Sequence, residues 1–336
     1  MGSERRSVGI RSGRNQDREL NSSNMKFRTL GRTGLQVSEI GFGAWAIGGN
    51  EFGNSYGSTD DKTSLRTIEK SVELGCNFFD TADVYGHGHS EILLGEALKG
   101  VRDKVYIATK VGADFYSGQS RINFSSEYIE FACDESLKRL RADYIDLYQL
   151  HNPTLNMIRD ETIFETMDRL REKGKIRFYG VSIHDPQEGI EAIALGKVDT
   201  VQVVYNIFSQ TAAKELFPLA VEKNIGVIAR EPLANGFLTG KYSKTSTFEE
   251  GDIRSYWPRS VIEARTSMAK TLKEFLSHDG HTLAQSALKF VLAQRAVSVV
   301  IAGAKTEGHV EENFATADVE DLGENQIAEL VRVFRQ

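Results

Sequence analysis

At 336 residues, with 40% apolar and 26% charged side chains, the chain has the length and composition of one large globular α/β domain or two smaller ones. Its 41 Lys and Arg against 47 Asp and Glu leave a net charge of −6 with no long basic run, which argues against nucleic acid or an anionic membrane as the main partner. No apolar run approaches the roughly 18 residues of a membrane span. Cys76 in an apolar strand pattern and Cys133 in a helical one read as buried structural thiols of a reducing, cytoplasmic compartment, not as a disulfide framework or metal site.

Met1–Asn24 is rich in Arg, Ser, Asn and Gly and lacks an apolar core, so it is no secretory signal. It reads as a disordered arm or leader ahead of a single domain over residues 25–336. Phe27–Leu30 and Leu35–Ser38 alternate apolar and polar positions around Gly31 and Gly34, the pattern of a short hairpin. Ile40–Trp45 reads as a strand whose glycines admit close approach to its backbone. Leu65, Ile68 and Val72, behind the cap candidates Thr59, Asp60 and Asp61, predict a helix over 60–74. Further strands are expected at Cys76–Asp80, Val105–Lys110, Ile145–His151, Ile176–Val181, Val201–Tyr205, Ile225–Ala229 and Ser298–Ile301. Helices near 90–98, 125–140, 161–173, 186–195, 212–223, 261–276 and 282–294 separate or follow them, and two more close the chain.

Counting Ile40–Trp45 first, strands recur about once per 35 residues, the spacing of βα units. Eight such units favour a (β/α)8 TIM barrel with an N-terminal β-hairpin and extra C-terminal helices, an open eight-stranded sheet being the alternative. The dinucleotide turn Gly-x-Gly-x-x-Gly is missing, because Gly41-Phe42-Gly43 runs on into Ala44-Trp45-Ala46 and opens no helix. A nicotinamide cofactor would bind without it.

Three successive strand ends carry chemistry: Asp80 with Tyr85 in the loop beyond, then Lys110, then His151. Singly, each has a bland reading as a cap, a packed ring, a solvated amine or a satisfied imidazole. Together they are harder to dismiss, since an acid and an amine on neighbouring strands offset each other's desolvation. The ammonium is then expected to lower the pKa of the Tyr85 phenol from its ordinary value near 10, making it a general acid and base. His151 would orient a carbonyl oxygen by hydrogen bonding. None of the four can carry a hydride, so a cofactor is required. His87, His89 and Glu91 are expected to be loop residues and not a metal site. Glu311-Glu312 and the basic Lys138, Arg139 and Arg141 read as solvated helix faces.

Phe79-Asp80-Thr81-Ala82-x-x-Tyr85-Gly86, Ala108-Thr109-Lys110, Asp146-Leu147-Tyr148-Gln149-Leu150-His151 and Gly180-Val181-Ser182 closely resemble the motifs of the aldo-keto reductases, in order and from about Lys26 to the C-terminus. The resemblance implies a (β/α)8 barrel whose hairpin covers the barrel bottom and which binds NADP(H) in extended form. It implies that Tyr85 is the proton donor, Lys110 and Asp80 the pair that tunes it, and His151 the carbonyl-orienting group. Ser182 and Gln202 match positions that hold the nicotinamide carboxamide, and Gly43, Ala44 and Trp45 match the strand end beside nicotinamide and substrate; Asp80 adjoins the same cofactor site. The segment Pro232–Tyr242, with Pro232, Leu233, Gly236, Leu238, Gly240 and Lys241, resembles the loop over the pyrophosphate. Gly303, Lys305, His309, Glu312 and Asn313 match the segment that grips the adenosine end.

Three departures qualify the carry-over. Ile183 stands where many relatives have Asn, Arg230 where many have an aromatic that stacks on the nicotinamide, and His309 where a number have an arginine that pairs with the 2′-phosphate. NADPH is the expected cofactor, with NADH the alternative. The expected function is reduction of small-molecule aldehydes or ketones to alcohols, of the alcohol dehydrogenase or carbonyl reductase type. The alternatives are a cofactor-binding regulatory subunit resembling potassium-channel β subunits and, third, a Schiff-base lyase using Lys110, which needs that amine neutral. Trp45, Phe115, Tyr116, Phe208, Tyr256 and Trp257 are expected to shape the substrate pocket.

Overall fold

A computed structural model describes residues 24–52, 55–116, 118, 121–276 and 280–334; the expected N-terminal arm, apart from Asn24, lies outside them. Eight parallel strands close into a barrel: β1 (Ile40–Gly43), β2 (Phe78–Asp80), β3 (Tyr106–Val111), β4 (Ile145–His151), β5 (Ile176–Ser182), β6 (Thr200–Val204), β7 (Gly226–Arg230) and β8 (Val297–Gly303). Each pairs with its neighbours in chain order, and β8 returns to β1 through Val300–Ile40 to Gly303–Gly43. The first six barrel helices are α1 (Asp61–Glu73), α2 (His89–Ala97), α3 (Ser126–Leu140), α4 (Glu161–Glu172), α5 (Pro186–Ala194) and α6 (Leu216–Glu222). After the long β7 loop come α7 (Arg259–Leu276) and α8 (Leu283–Leu292), and α9 (Glu307–Phe314) and α10 (Glu324–Phe334) end the described chain.

Short polar side chains start these helices. Asp60, Ser125, Asp160 and Thr306 each accept a backbone N–H from the first turn, and Asp185 with Glu188 and Thr282 with Gln285 complete reciprocal capping boxes. Three differences from the sequence reading have local causes. The first strand stops at Gly43, and Ala44–Ile47 form a 3-10 turn that carries Trp45 to the barrel mouth. The helix expected over 212–223 starts only at Leu216, because Pro218 lacks an N–H and is tolerated in a first turn but not deeper. A four-residue helix, Leu155–Ile158, and a two-stranded ribbon of Ala113–Asp114 with Arg121–Ile122 were not anticipated, being too short to show a period.

The strand period decides what lies inside. Phe78, Ala108, Leu147, Ile228, Val299 and Ile301 form one apolar cluster with Leu30, Leu35 and Val37 of the N-terminal hairpin (Phe27–Thr29 paired with Gln36–Ser38). Their outward neighbours Phe79, Ile107, Tyr148, Val181, Val201, Val227 and Val300 pack under the helices. The hairpin therefore plugs the bottom of the barrel. Its fit is tight: a Cβ on Gly31 (φ 49°) would stand 2.1 Å from the Gly226 nitrogen at the start of β7.

This contact separates two glycines that look alike in sequence. Gly34 also has positive φ (72°), but a Cβ there would meet nothing within 4 Å. Gly34→Ala should cost about 1–2 kcal/mol from backbone strain alone, whereas Gly31→Ala has to push the plug off β7 and should cost well over ~2 kcal/mol. Urea unfolding of both variants measures the difference; equal losses would mean that the plug does not carry stability.

Candidate active site

Above the apolar plug the barrel interior becomes polar. β2 and β3 are adjacent, and Lys110 Nζ donates to Asp80 Oδ1 at 2.5 Å with both side chains buried. The other Asp80 oxygen accepts from Gln202 Nε2 (2.6 Å) and Gln149 Nε2 (3.1 Å), so four strands converge on one carboxylate. Gln202 Nε2 also reaches Gln149 Oε1 (3.2 Å), and Ser182 Oγ donates to Gln202 Oε1 (3.3 Å). Lys110 Nζ spends its remaining protons on the Thr81 carbonyl (2.8 Å) and the Tyr85 hydroxyl oxygen (3.2 Å). The Tyr85 O–H is thereby left to donate elsewhere. His151, at the end of β4, stands edge-on to the Tyr85 ring at 5.9 Å between centroids. Asp80, Tyr85, Lys110 and His151 thus come together as the sequence suggests.

Electrostatics assigns protonation states. Burial opposes charge on Lys110, but Asp80, together with Tyr85, overcomes it and holds the amine above its ordinary value, so it remains an ammonium. Burial pushes His151 well below its ordinary value, and Lys110, Arg230 and His184 push the same way, so it is neutral at physiological pH. The expected depression of Tyr85 is not the net result. Burial raises the phenol, with Asp80 adding to it, and the lowering effect of Lys110 does not fully offset this. Proximity to a cation was read correctly; the desolvation that comes with it was not. The arrangement offers a protonated phenol and a neutral imidazole N–H beside a fixed cation, which suits an oxygen that gains negative charge during reaction.

A cavity of about 700 Å³ opens over this centre, within the roughly 300–1,000 Å³ common for small-molecule sites. Trp45, Tyr85 and His151 line it at the tetrad with Ser182, Gln202 and Arg230, and its lining also takes in Pro232, Leu233, Gly236 and Lys241 and the group Lys305, His309, Glu312 and Asn313. Gly43, Ala44 and Gly303 form the opposite wall, where a Cβ on Gly303 would meet nothing nearer than the Gly43 oxygen at 3.9 Å, so the wall is open to a ligand. At the far end Lys241 and Lys305 add to burial in depressing His309, a crowding of cations that an anion would relieve. Ser182 Oγ and Gln202 Oε1 retain lone pairs for an amide N–H, while the Gln202 amide protons are already engaged by Asp80 and Gln149. These features fit an extended dinucleotide with its amide-bearing ring near the tetrad and its phosphates near the lysines.

Two expected cofactor contacts are not on this surface: Leu238 is buried in the core, and Gly240 (φ 71°) turns the chain against Leu283. Of the aromatics expected around the substrate, only Trp45 lines the cavity. Phe115 stacks between His87 and Tyr116, Phe208 packs on Phe334, Trp257 on Phe237, and Tyr256 points outward. Tyr56, Asn152, His184, Glu231 and Arg254 line it unforeseen. Tyr56 links two loops: its hydroxyl accepts from Asn235 Nδ2 (2.9 Å), its carbonyl from Lys305 Nζ (2.8 Å), and Ile253 N donates to the adjacent Ser55 carbonyl (2.9 Å). A lone Tyr in a Gly-rich loop gives no sequence signal of this.

The loop that presents Tyr85 has its own support. Glu91 is fully buried and accepts from Thr109 Oγ1 (2.5 Å) and Arg139 Nε (2.6 Å), while Arg139 also donates to Tyr116 and Ser136. Arg139 is therefore not the solvated helix end expected; Gly88 (φ 94°) makes room for it, a Cβ there falling 2.4 Å from Arg139 Cδ. His89 pairs with Asp61 and His87 stacks on Phe52, so His87, His89 and Glu91 do not converge. Asp83 is buried beside Glu91, and burial with that neighbouring charge outweighs Arg139 and Lys110, holding its carboxyl well above the usual range.

A sequence profile described as "Aldo/keto reductase family" matches residues 39–334. "Aldo-keto reductase YhdN" of Bacillus subtilis (strain 168) is 34% identical over 299 residues, covering 85% of this chain and 87% of that protein. The Arabidopsis thaliana "Probable voltage-gated potassium channel subunit beta" is 32% identical over 312 residues, covering 88% and 92%. Among solved structures, the holo form of the aldo-keto reductase AKR11C1 from Bacillus halodurans superposes with a TM-score of 0.76 at 32% identity, covering 91% of this chain and 96% of that one.

Asp83 makes a test of the loop. The folded protein holds its proton at pH values where the unfolded chain, with an ordinary value near 3.9, has released it. Stability should therefore fall as pH rises through that window, by at most about 1.4 kcal/mol per pH unit. Asp83→Asn should remove this slope, raising Tm at pH 8 relative to wild type more than at pH 5; parallel Tm curves would show Asp83 to be ionised in the fold.

Proposed function

The chain belongs to the aldo/keto reductase family and is a nicotinamide-dependent carbonyl oxidoreductase, and on that premise we propose that it reduces small-molecule aldehydes or ketones with NADPH, using Tyr85 as proton donor. The observation that carries this reading is the Lys110 ammonium locked between Asp80 and the Tyr85 oxygen. When bound, the reduced nicotinamide supplies the hydride that goes to the carbonyl carbon. Tyr85 gives its proton to the carbonyl oxygen, so that C=O becomes CH–OH. Lys110 stabilises the phenolate left behind, and Asp80, held by Gln149 and Gln202, keeps Lys110 in place. Neutral His151 donates its ring N–H to the same oxygen and orients it.

Ser182 and Gln202 receive the carboxamide, with Gly43, Ala44, Trp45 and Asp80 beside the ring. Backbone N–H groups between Pro232 and Lys241 carry the phosphates, and Lys305, His309, Glu312 and Asn313 take the adenosine end. We assign the protein to the cytoplasm. The lyase reading fails on Lys110, whose partners keep it protonated and so not nucleophilic. The channel-subunit reading rests on likeness to one class of relatives and no feature of the site favours it.

Tyr85→Phe should lower kcat by about 10²–10⁴-fold while the Kd for NADPH, read by quenching of Trp fluorescence, stays within about threefold; retained turnover would remove Tyr85 from its role. Because burial raises the phenol, its proton is present through the neutral range, and reduction should stay level there and decline only in strongly alkaline solution, above the ordinary phenol range. Lys305→Ala and His309→Ala should weaken NADPH more than NADH if they meet the 2′-phosphate, and equal weakening of both would point to NADH.

A further inference from the structure

Arg230 ends β7 inside the cavity wall with its side chain largely buried. Its Nη1 pairs with Glu231, and its Nη2 donates to the Ile183 carbonyl (3.1 Å) and lies 3.2 Å from His184 Nδ1. Its Nε is buried with no hydrogen-bond partner. Glu231 holds its carboxylate there from a left-handed backbone (φ 54°), its own carbonyl fixed by Asn206 Nδ2 at 2.9 Å. His184 can accept from Arg230 only as the neutral tautomer, and burial together with Arg230 pushes it towards that state.

The pair does not cancel at the reacting centre. At His151 the neighbouring cations Lys110 and Arg230 both add to burial. Arg230 also acts against the burial that raises Tyr85. Ser182 and Gln202 line the same cavity and join the Asp80 network, and Arg230 is close enough to act on both Tyr85 and His151, so a ring within reach of a carbonyl there lies beside these three. The reduced nicotinamide ring is neutral; the ring that has given up its hydride carries a full positive charge. An aromatic face at the end of β7 would attract the pyridinium through its ring quadrupole, whereas a guanidinium repels it.

We propose that Arg230, with its charge only partly offset by Glu231, makes the site discriminate between the two redox states of its cofactor, favouring the reduced ring over the pyridinium. This rests on the reductase reading above. The discrimination makes the bound reduced cofactor a weaker hydride donor, holding the bound equilibrium back towards carbonyl, and in exchange loosens the oxidised cofactor once the hydride has left. Ile183 belongs to the same device, since its carbonyl holds the guanidinium and its side chain is turned into the core.

The test measures Kd for NADPH and for NADP+ separately, by Trp fluorescence or calorimetry, without substrate. Wild type should bind NADPH more tightly. Arg230→Leu should lower the ratio of the NADP+ to the NADPH Kd by about tenfold, Glu231→Gln should move it severalfold the other way, and Arg230→Lys should keep it near the wild-type value. A general disturbance of the wall would weaken both nucleotides alike and leave the ratio standing, so a ratio unchanged in Arg230→Leu, or shifted in the same direction by Arg230→Leu and Glu231→Gln, overturns the proposal. Wild type that binds neither nucleotide strikes the reductase reading itself.

Discussion

The ion pair between Lys110 and Asp80 is the constraint from which the rest of the site follows. Both groups are sealed inside the barrel, where either alone would be costly to bury. Their exchange of one short hydrogen bond does not suffice; each is also saturated from other strands. Asp80 takes the Gln149 and Gln202 amides on its second oxygen, and Lys110 distributes its remaining two protons to Thr81 and Tyr85. An ammonium with three protons and three fixed acceptors has no rotational freedom left, so the position of the phenol is dictated from below. The closure of the barrel is what brings β6, carrying Gln202, within reach of β2, 122 residues earlier.

Much of this was legible because function and local pattern coincide at strand ends. Asp80, Lys110 and His151 each interrupt an apolar run at the point where a parallel strand meets its loop, and that interruption is visible in one dimension. What escaped was either long-range or a matter of net magnitude. Gln149 reads as one more polar residue in a strand, and only the closed barrel shows that it holds Asp80. Arg139 has the sequence context of a solvated helix end, yet the absence of a side chain at Gly88 opens a path to Glu91. The direction of the Tyr85 shift needed burial as well as neighbours. Leu238 and Gly240, set on the cavity by motif matching, sit in a stretch whose φ angles turn positive at Ala234, Asn235, Gly236 and Gly240, and so alternate out of register with the wall.

The site also keeps its charges in two zones. Around the tetrad the carboxylates are committed to internal partners, Asp80 to Lys110 and Glu231 to Arg230, leaving a neutral imidazole and a neutral phenol to face a substrate. At the other end of the cavity Lys241 and Lys305 act on His309 against the opposing charge of Glu312, and both lysines line the cavity. A single ligand long enough to touch both zones gains orientation from the difference alone, without a glycine-rich fingerprint to read its phosphates.

The hairpin plug has a consequence for proton supply. Beneath Asp80 Phe78, Ala108, Leu147, Ile228 and Val299 pack against Leu30, Leu35 and Val37, an apolar column that closes the tetrad off from the barrel bottom. A phenol that has given its proton away cannot be refilled from underneath. Tyr85 lines the cavity that opens at the mouth, where product and cofactor leave, so the recharging of the phenol is coupled to their departure and each cycle resets its acid as it empties.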